Sequence, residues 1–485
     1  MRSRWLKLLG VLFTLSLVAA ACGDSDDDDG GTATTEGGTE TTAEGGATTE
    51  GGTETTAEGG AATTAGGEGG EAADLSGLEF TLFGAPTGVE GDAMQGFLDV
   101  YGEQTGADIT YEGSDSFEEQ LRIRVDGGNP PSVAFTPQPA SICEFADAGQ
   151  LVSLEDMGLD IAQMESDHGT FWMNLGLCED GMHYGVPWFP NLKSIVWYNV
   201  AAFEEGGYEI PGTYEELVAL SQQIVDDGGT PWCIGYGSEA ATGWPGTDWI
   251  EDIIVRSSGS DTYTQWFQHE IPFDDAAVVD AFDMYGEIFF GEGFVLGGTE
   301  NVAAIDFREA PLPMFDDPPG CLMHKQGSFI ANFFPEGGEE EVSFFPFPTI
   351  GGNTGAMGGG DTILVFEDDP AIAQAIQDWI SPEWQCVLAS PDGGTASEFG
   401  GHGVAGVERL PGNKNVSLDC YETETARIQA EAVRDALEAD AFVFDASDLM
   451  PPAVGQGTFW TGMIDWSRGT PTAEVVSAVE SSWPA

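Results

Sequence analysis

Leu78–Pro139 reads LEFTLFGAPTGVEGDAMQGFLDVYGEQTGADITYEGSDSFEEQLRIRVDGGNPPSVAFTPQP. Leu78–Phe83 is an apolar run closed by a turn over Gly84–Gly91. Met94, Phe97, Leu98 and Tyr101 then recur at helical spacing, which predicts a helix over 92–106. Asp108–Tyr111 reads as the next strand, and Glu112–Asp115 as a loop. Asp115 or Ser116 caps a second helix to Asp126, with Glu118 and Glu119 favourably placed at its positive end. Gly127–Pro131 breaks that helix, Ser132–Thr136 is a strand, and Pro137-Gln138-Pro139 turns the chain. Strand, helix, strand, helix, strand is the pattern of an α/β unit with a largely parallel sheet.

Further along, Ile142–Ala148 reads as helical, and two prolines hold Val186–Pro190 extended. Lys193–Asn199 is a strand, and Thr213 opens a helix over Tyr214–Val225. A second set of α/β elements follows. It comprises a strand at Pro231–Gly235, a helix at Trp249–Val255 entered through the aromatic turn Thr242–Trp249, and a helix at Ala276–Phe289. Val302–Phe307 and Phe329–Phe334 are strands or turns. Gly351–Gly360 is a glycine-rich loop without the Lys-Ser/Thr of a nucleotide P-loop or a dinucleotide fingerprint. Strand Thr362–Phe366, helix Pro370–Ile380 and helices near 422–439, 457–467 and 472–483 complete the pattern.

Upstream, Arg2, Arg4 and Lys7 precede the apolar run Leu8–Val18, and Ala19–Ala21 lead into Cys22. That is a secretory leader ending on a lipidated Cys22. Ordinary cleavage after Ala-x-Ala is the alternative; a membrane helix needs roughly 20 apolar residues, more than this run holds. Residues 23–74 are nearly all Gly, Thr, Ala, Glu and Asp, with GGTETTAEGG at Gly37–Gly46 repeated at Gly51–Gly60. Such a segment has nothing to bury and is expected to be a disordered tether with a reach of about 40 Å. The location implied is extracytoplasmic, held to the membrane by the lipid alone.

The chain carries 83 acidic and 14 basic residues, a formal net charge of -69. Phosphate recognition needs a basic footprint, so nucleic acid is excluded as a partner. Seven cysteines occur; Cys22 goes to lipid, and six remain at 143, 178, 233, 321, 386 and 420. An even number in an exported chain points to disulfides. No Cys-x-x-Cys, His-x-x-x-His or HExxH occurs, so neither a metal site nor a cofactor is expected.

With these elements placed, Leu75–Pro484 resembles the bacterial extracellular solute-binding proteins of ABC sugar importers, nearest the α-glucoside-binding branch. The residues that carry the resemblance are YEGSDSFEEQ (Tyr111–Gln120), GGNPPSVAFTPQ (Gly127–Gln138), GWPGTDW (Gly243–Trp249), PPGCLMHKQGSF (Pro318–Phe329) and FWTGMIDWSRG (Phe459–Gly469). One departure is Ser132, where such proteins usually carry Asp after the Asn-Pro-Pro turn. The resemblance implies a two-lobed α/β fold of the periplasmic-binding-protein type II, with ligand in the cleft between lobes. Lobe one is expected at 75–183 plus the return 359–405, and lobe two at 184–358 plus 406–485. It also implies a monomer that closes on a carbohydrate and docks on an ABC permease, without catalysis.

A sugar needs flat rings for its C–H faces and planar hydrogen-bonding groups for its hydroxyls. The resemblance puts Trp460 forward as a stacking residue, and Trp249 with Asp248 at the cleft. Asp248 is equally readable as an N-cap, and Trp188 as cleft or core. Ser114, Asp115 and Gln138 fall in carboxyl-end loops, where open α/β sheets bind ligands. Asp361 (otherwise a turn cap) and Phe329 complete the set. Because lobe closure tolerates no clamp across the cleft, the implied lobes favour the pairing Cys143–Cys178, Cys233–Cys321 and Cys386–Cys420 among 15 possibilities. A glycosidase would need two carboxylates; in so acidic a chain that requirement decides nothing. A surface adhesion module remains the third class.

Overall fold

A computed structural model describes residues 73–389, 409–421, 423–438 and 442–484. Cys22, the leader and nearly all of the tether lie outside the described residues. The opening unit forms as its periodicity predicts. Strands β1 (Glu79–Gly84), β2 (Asp108–Gly113) and β3 (Val133–Thr136) alternate with helices α1 (Val89–Thr105) and α2 (Phe117–Asp126). β1 pairs in parallel with both β2 and β3. Helix α1 turns Met94, Phe97, Leu98 and Tyr101 into the core beside Leu82 and Val133.

The sheet is mixed rather than largely parallel. Its order is β2-β1-β3-β8-β4, with β9 beside β8, where β4 is Val186–Leu192, β8 Ala356–Val365 and β9 Phe442–Phe444. β8 runs antiparallel to β3 and β4 because it enters from the opposite end, returning from a second sheet. That second sheet is small and antiparallel: β6 (Met323–Lys325), β5 (Ile195–Asn199), β7 (Val342–Pro346). An apolar cluster bridges the sheets, with Leu192, Phe442 and Phe444 from the larger one and Ile195, Trp197 and Val342 from the smaller, and the two sheets make the two-lobed α/β fold. The first passage between sheets falls at Lys193–Ser194, beyond the expected boundary at 183/184, because β4 pairs with β8 in the larger sheet. The second passage is 347–355, and the third follows β9 at Asp445.

The expected glycine-rich loop is half turn and half strand: Gly351 and Gly352 turn the chain at φ 61° and 88°, and strand runs from Ala356. Gly358, Gly359 and Gly360 lie inside β8. A Cβ on Gly358 would stand 2.1 Å from the Asn191 carbonyl oxygen, and one on Gly360 2.4 Å from the Trp172 ring. These strand glycines let neighbouring chains close in; only Gly351 and Gly352 mark a turn. Pro231–Gly235 makes only isolated bridges through Trp232, and Thr299–Ala304 and Ser328–Phe333 are 3-10 turns. Disulfides join Cys143 to Cys178, Cys233 to Cys321 and Cys386 to Cys420, closing separations of 35, 88 and 34 residues. No described helix is long and apolar enough to cross a membrane.

Trp188 belongs to the larger lobe's core. β4 is buried on both faces, and the ring stacks on Trp379 at 5.6 Å and meets Phe97 and Phe135 edge-on. Its exposure is 0%. Trp188→Ala is therefore expected to cost about 3–5 kcal/mol through the cavity it leaves. Denaturant unfolding of the purified variant measures this; a loss under 1 kcal/mol would contradict the core assignment.

Candidate functional site

Between the sheets lies a cavity of about 170 Å³. The carboxyl ends of β1, β2 and β3 supply one wall: Glu90 in the first turn of α1, Ser114 and Asp115 after β2, Glu118 opening α2, and Gln138 after β3. The opposite wall is Ser238, Trp244, Phe307, Arg308 and Phe329. Asn191, Lys193, Asp361, Arg409, Asp445, Asp448 and Trp460 also line it.

Of the residues singled out in the sequence, Ser114, Asp115, Gln138, Phe329, Asp361 and Trp460 come together here. Trp460 is 4% exposed, and its Nε1–H donates to Ser447 Oγ at 3.2 Å. Phe329 faces Trp244 at 5.9 Å. Gln138 Oε1 accepts from Thr136 Oγ1 at 3.1 Å. Asp115 is partnered already, accepting from Arg308 Nη2 and from Thr87 Oγ1, both at 2.8 Å. Trp188, Trp249 and Asp248 are not on the wall.

A helix start explains two of those three. The helix begins at Trp244, not Trp249, with Pro245 in its first turn and Gly243 before it. Proline tolerates a first helical turn because its missing N–H would be unpaired there anyway. Gly243 has φ 117°, and a Cβ there would stand 2.1 Å from the Trp460 carbonyl oxygen. Glycine thus lets the helix begin against Trp460 and sets Trp244 on the cavity wall. Five residues on, about 140° around the helix, Trp249 points into the second core. There it stacks on Tyr285 at 4.7 Å and is 1% exposed. Asp248 becomes an interior helical residue instead of an N-cap.

That helix, Trp244–Ser257, buries Asp248, Glu251, Asp252 and Arg256. The spacing stacks them along one stripe, and the stripe faces all three passages between the sheets. Lys193 Nζ reaches Asp248 Oδ1 at 3.1 Å and Asp445 Oδ2 at 2.5 Å. Ser194 Oγ donates to Asp252 Oδ1 at 2.7 Å. Asp252 also pairs with Arg256 and, at 3.3 Å, with Lys325 Nζ. Arg256 donates to the Phe347 and Gly355 carbonyls of the second passage. Glu251 accepts from the Ala446 and Ser447 amides at 2.9 and 3.2 Å.

Burial alone would strip the Lys193 proton, but the Asp248, Asp445 and Asp448 carboxylates hold it, well above the usual lysine range. Burial likewise drives Asp445 up, but Lys193 outweighs it and holds that carboxyl low, at about 2. Burial and the Asp445 charge push Glu251 and Asp448 well above the carboxylate range. Asp248, Glu251 and Asp445 offer oxygens within 4.8 Å of one another, a spacing that suits a cation. The Lys193 ammonium already supplies positive charge to two of them.

The wall residues not anticipated from sequence include Glu90, Lys193, Trp244, Phe307, Arg308 and Arg409. One signal was present for three of them. With only 14 bases in 485 residues, each base is a candidate for a fixed partner, and Lys193, Arg308 and Arg409 all line the cavity.

The comparisons agree with this architecture. The family described as "Bacterial extracellular solute-binding protein" matches residues 85–381. The osmoprotective compounds-binding protein GgtB of Synechocystis sp. is 38% identical over 418 residues, covering 86% of this chain and 94% of its own. The alpha-glucosides-binding periplasmic protein AglE of Rhizobium meliloti is 38% identical over 421 residues, covering 84% and 88%. The solved structure of the bacterial solute receptor AcbH superposes with a TM-score of 0.68 at 19% identity, covering 83% of this chain and 97% of that one.

Asp361 carries a testable electrostatic consequence. It is 7% exposed, and burial raises its pKa to about 7, opposed by Arg409. A carboxyl whose folded pKa lies above its unfolded value favours the folded state only while protonated. Its contribution therefore declines as pH rises from about 4 to 7, by on the order of 4 kcal/mol. Asp361→Asn should raise the melting temperature more at pH 8 than at pH 4. Equal shifts at both would show that Asp361 ionises normally in the fold.

Proposed function

The chain belongs to the bacterial extracellular solute-binding proteins, and from that premise we propose that it captures a carbohydrate in the cavity between its lobes and delivers it to an ABC permease. An α-glucoside or related oligosaccharide is the ligand class. The observation that carries this reading is the composition of the cavity wall: Trp244, Phe307, Phe329 and Trp460 around planar carboxylate, amide and guanidinium groups. Rings suit the C–H faces of a pyranose, and forked groups suit its vicinal hydroxyls. The name of AglE, an alpha-glucosides-binding protein, supports the same class. Asp361, Gln138, Ser114, Lys193 and Arg409 are the hydroxyl partners; Trp460, Trp244 and Phe329 are the stacking surfaces. Asp115, tied to Arg308, helps hold the closed mouth. Closure is a shift between open and closed populations biased by ligand, and the protein acts as a monomer without turnover.

The lobes in this reading meet at Lys193–Ser194, 347–355 and Asp445. Cys22 carries the lipid that keeps the protein outside the cytoplasmic membrane, with the tether as its spacer. Cys22→Ala in the expressed full-length chain should release it from the membrane fraction. Retention of the variant there would remove the anchor from the proposal.

Thermal shift and calorimetry against glucose, trehalose, maltose and maltotriose test the ligand class, since a ligand that binds only the folded state raises the melting temperature. Hydrolysis products in the same incubations would favour an enzyme instead. Trp460→Ala should weaken sugar binding by about 1–3 kcal/mol. Unchanged affinity in a folded variant would reduce the ring to a bystander.

A further inference from the structure

Trp460 faces the cavity, but the group that fixes its ring does not. An indole N–H can only donate, and this ring is almost wholly buried, so its N–H needs an acceptor close by. Ser447 Oγ accepts from it at 3.2 Å. Ser447 is 1% exposed and lies behind the wall, in the short helix Ala446–Leu449 that follows the third passage between the sheets. A serine hydroxyl has one hydrogen, and here it goes to Asp445 Oδ1 at 2.8 Å. The direction of both hydrogen bonds is thereby set, from indole to hydroxyl and from hydroxyl to carboxylate. Asp445 holds the Lys193 ammonium through its other oxygen. The Ser447 backbone is fixed as well. Its amide donates to Glu251 Oε1 at 3.2 Å. A Cβ on Gly455 would run into its carbonyl oxygen, so glycine there lets the turn Ala453–Phe459, which leads into Trp460, pack directly on Ser447.

The other tryptophan of the wall meets the same cluster. Lys193 Nζ stands 5.0 Å from the centre of the Trp244 ring. Both wall tryptophans are therefore referenced to Lys193, Trp244 by direct contact and Trp460 through Ser447 and Asp445. We propose that Ser447 is a positioning residue of the sugar site, which from behind the wall locks the plane of the Trp460 ring in register with the Lys193 cluster. This rests on the reading of Trp460 as a stacking surface and specifies what holds that surface. A ring free to swing must be ordered when a sugar binds, and that ordering subtracts from affinity. The relay orders the ring beforehand.

A double-mutant cycle tests the relay, read by calorimetry of the mature protein with maltose, trehalose and maltotriose. Ser447→Ala removes the acceptor, and Trp460→Phe removes the indole N–H while keeping a flat ring. Each should weaken sugar binding by about fivefold to tenfold, the worth of one hydrogen bond. Adding Ser447→Ala to Trp460→Phe should change affinity by less than about twofold, because the bond that Ser447 served is already gone. A merely structural role for Ser447 predicts the same loss in both backgrounds, and that result would overturn the proposal. So would a folded Ser447→Ala variant with the parent's affinity, while a weakened Trp460→Ala beside it would leave the stacking surface standing. Thermal melts confirm the fold of each variant. Should Ser447→Ala not fold, Trp460→Phe decides by itself, since parent-like affinity without the N–H would rule out the relay. Parent-like affinity in Trp460→Ala would instead overturn the stacking reading, and failure of every sugar to bind the carbohydrate reading; the relay falls with either.

Discussion

The Lys193 ammonium, buried between Asp248 and Asp445, is the interaction on which the architecture turns. It sits on the first passage between the sheets, and its partners come from the Trp244–Ser257 helix and from the end of β9. Removing one member of such a cluster leaves an uncompensated buried charge, which typically costs several kcal/mol. The same helix holds the second passage through Arg256 and the third through Glu251. Three chain crossings are thus registered against a single rigid stripe. The cavity is lined by the neighbours of that stripe: Trp244 at its start, and Lys193, Asp445 and Asp448 at its partners.

This arrangement keeps polar groups buried where the chain passes between the sheets: each charge there has a partner, which offsets the cost of its burial. The glycines of β8 serve the same region by a different means. Having no side chains, they let β4 and the Trp172 ring approach the strand that delivers Asp361 to the cavity.

The β1–β3 unit was legible because amphipathic periodicity survives in any tertiary context. So were Ser114, Asp115 and Gln138 as loop residues at strand ends, although Asp115 turned out to be paired with Arg308. β8 was only half legible. Its apolar part, from Thr362, reads as a strand, while its glycine half carries no hydropathy signal. Trp249 was misplaced because the helix start was read too late; Pro245 just after Gly243 marks the earlier start. The charged stripe on that helix has the spacing of an ordinary solvated face. Nothing in a hydropathy pattern distinguishes a stripe facing water from one facing buried cations.

The scarcity of cations has a consequence for how salt reaches the molecule. Mobile ions screen charges that water can surround and leave buried pairs nearly untouched. The acid-rich surface and the partly exposed Arg308–Asp115 pair at the cavity mouth belong to the first class. Lys193, Lys325 and Arg256 belong to the second. Ionic strength therefore acts on this protein as a selective reagent. It relieves repulsion over the outside and loosens the rim, while the buried cluster at the passages between the sheets keeps its electrostatic grip.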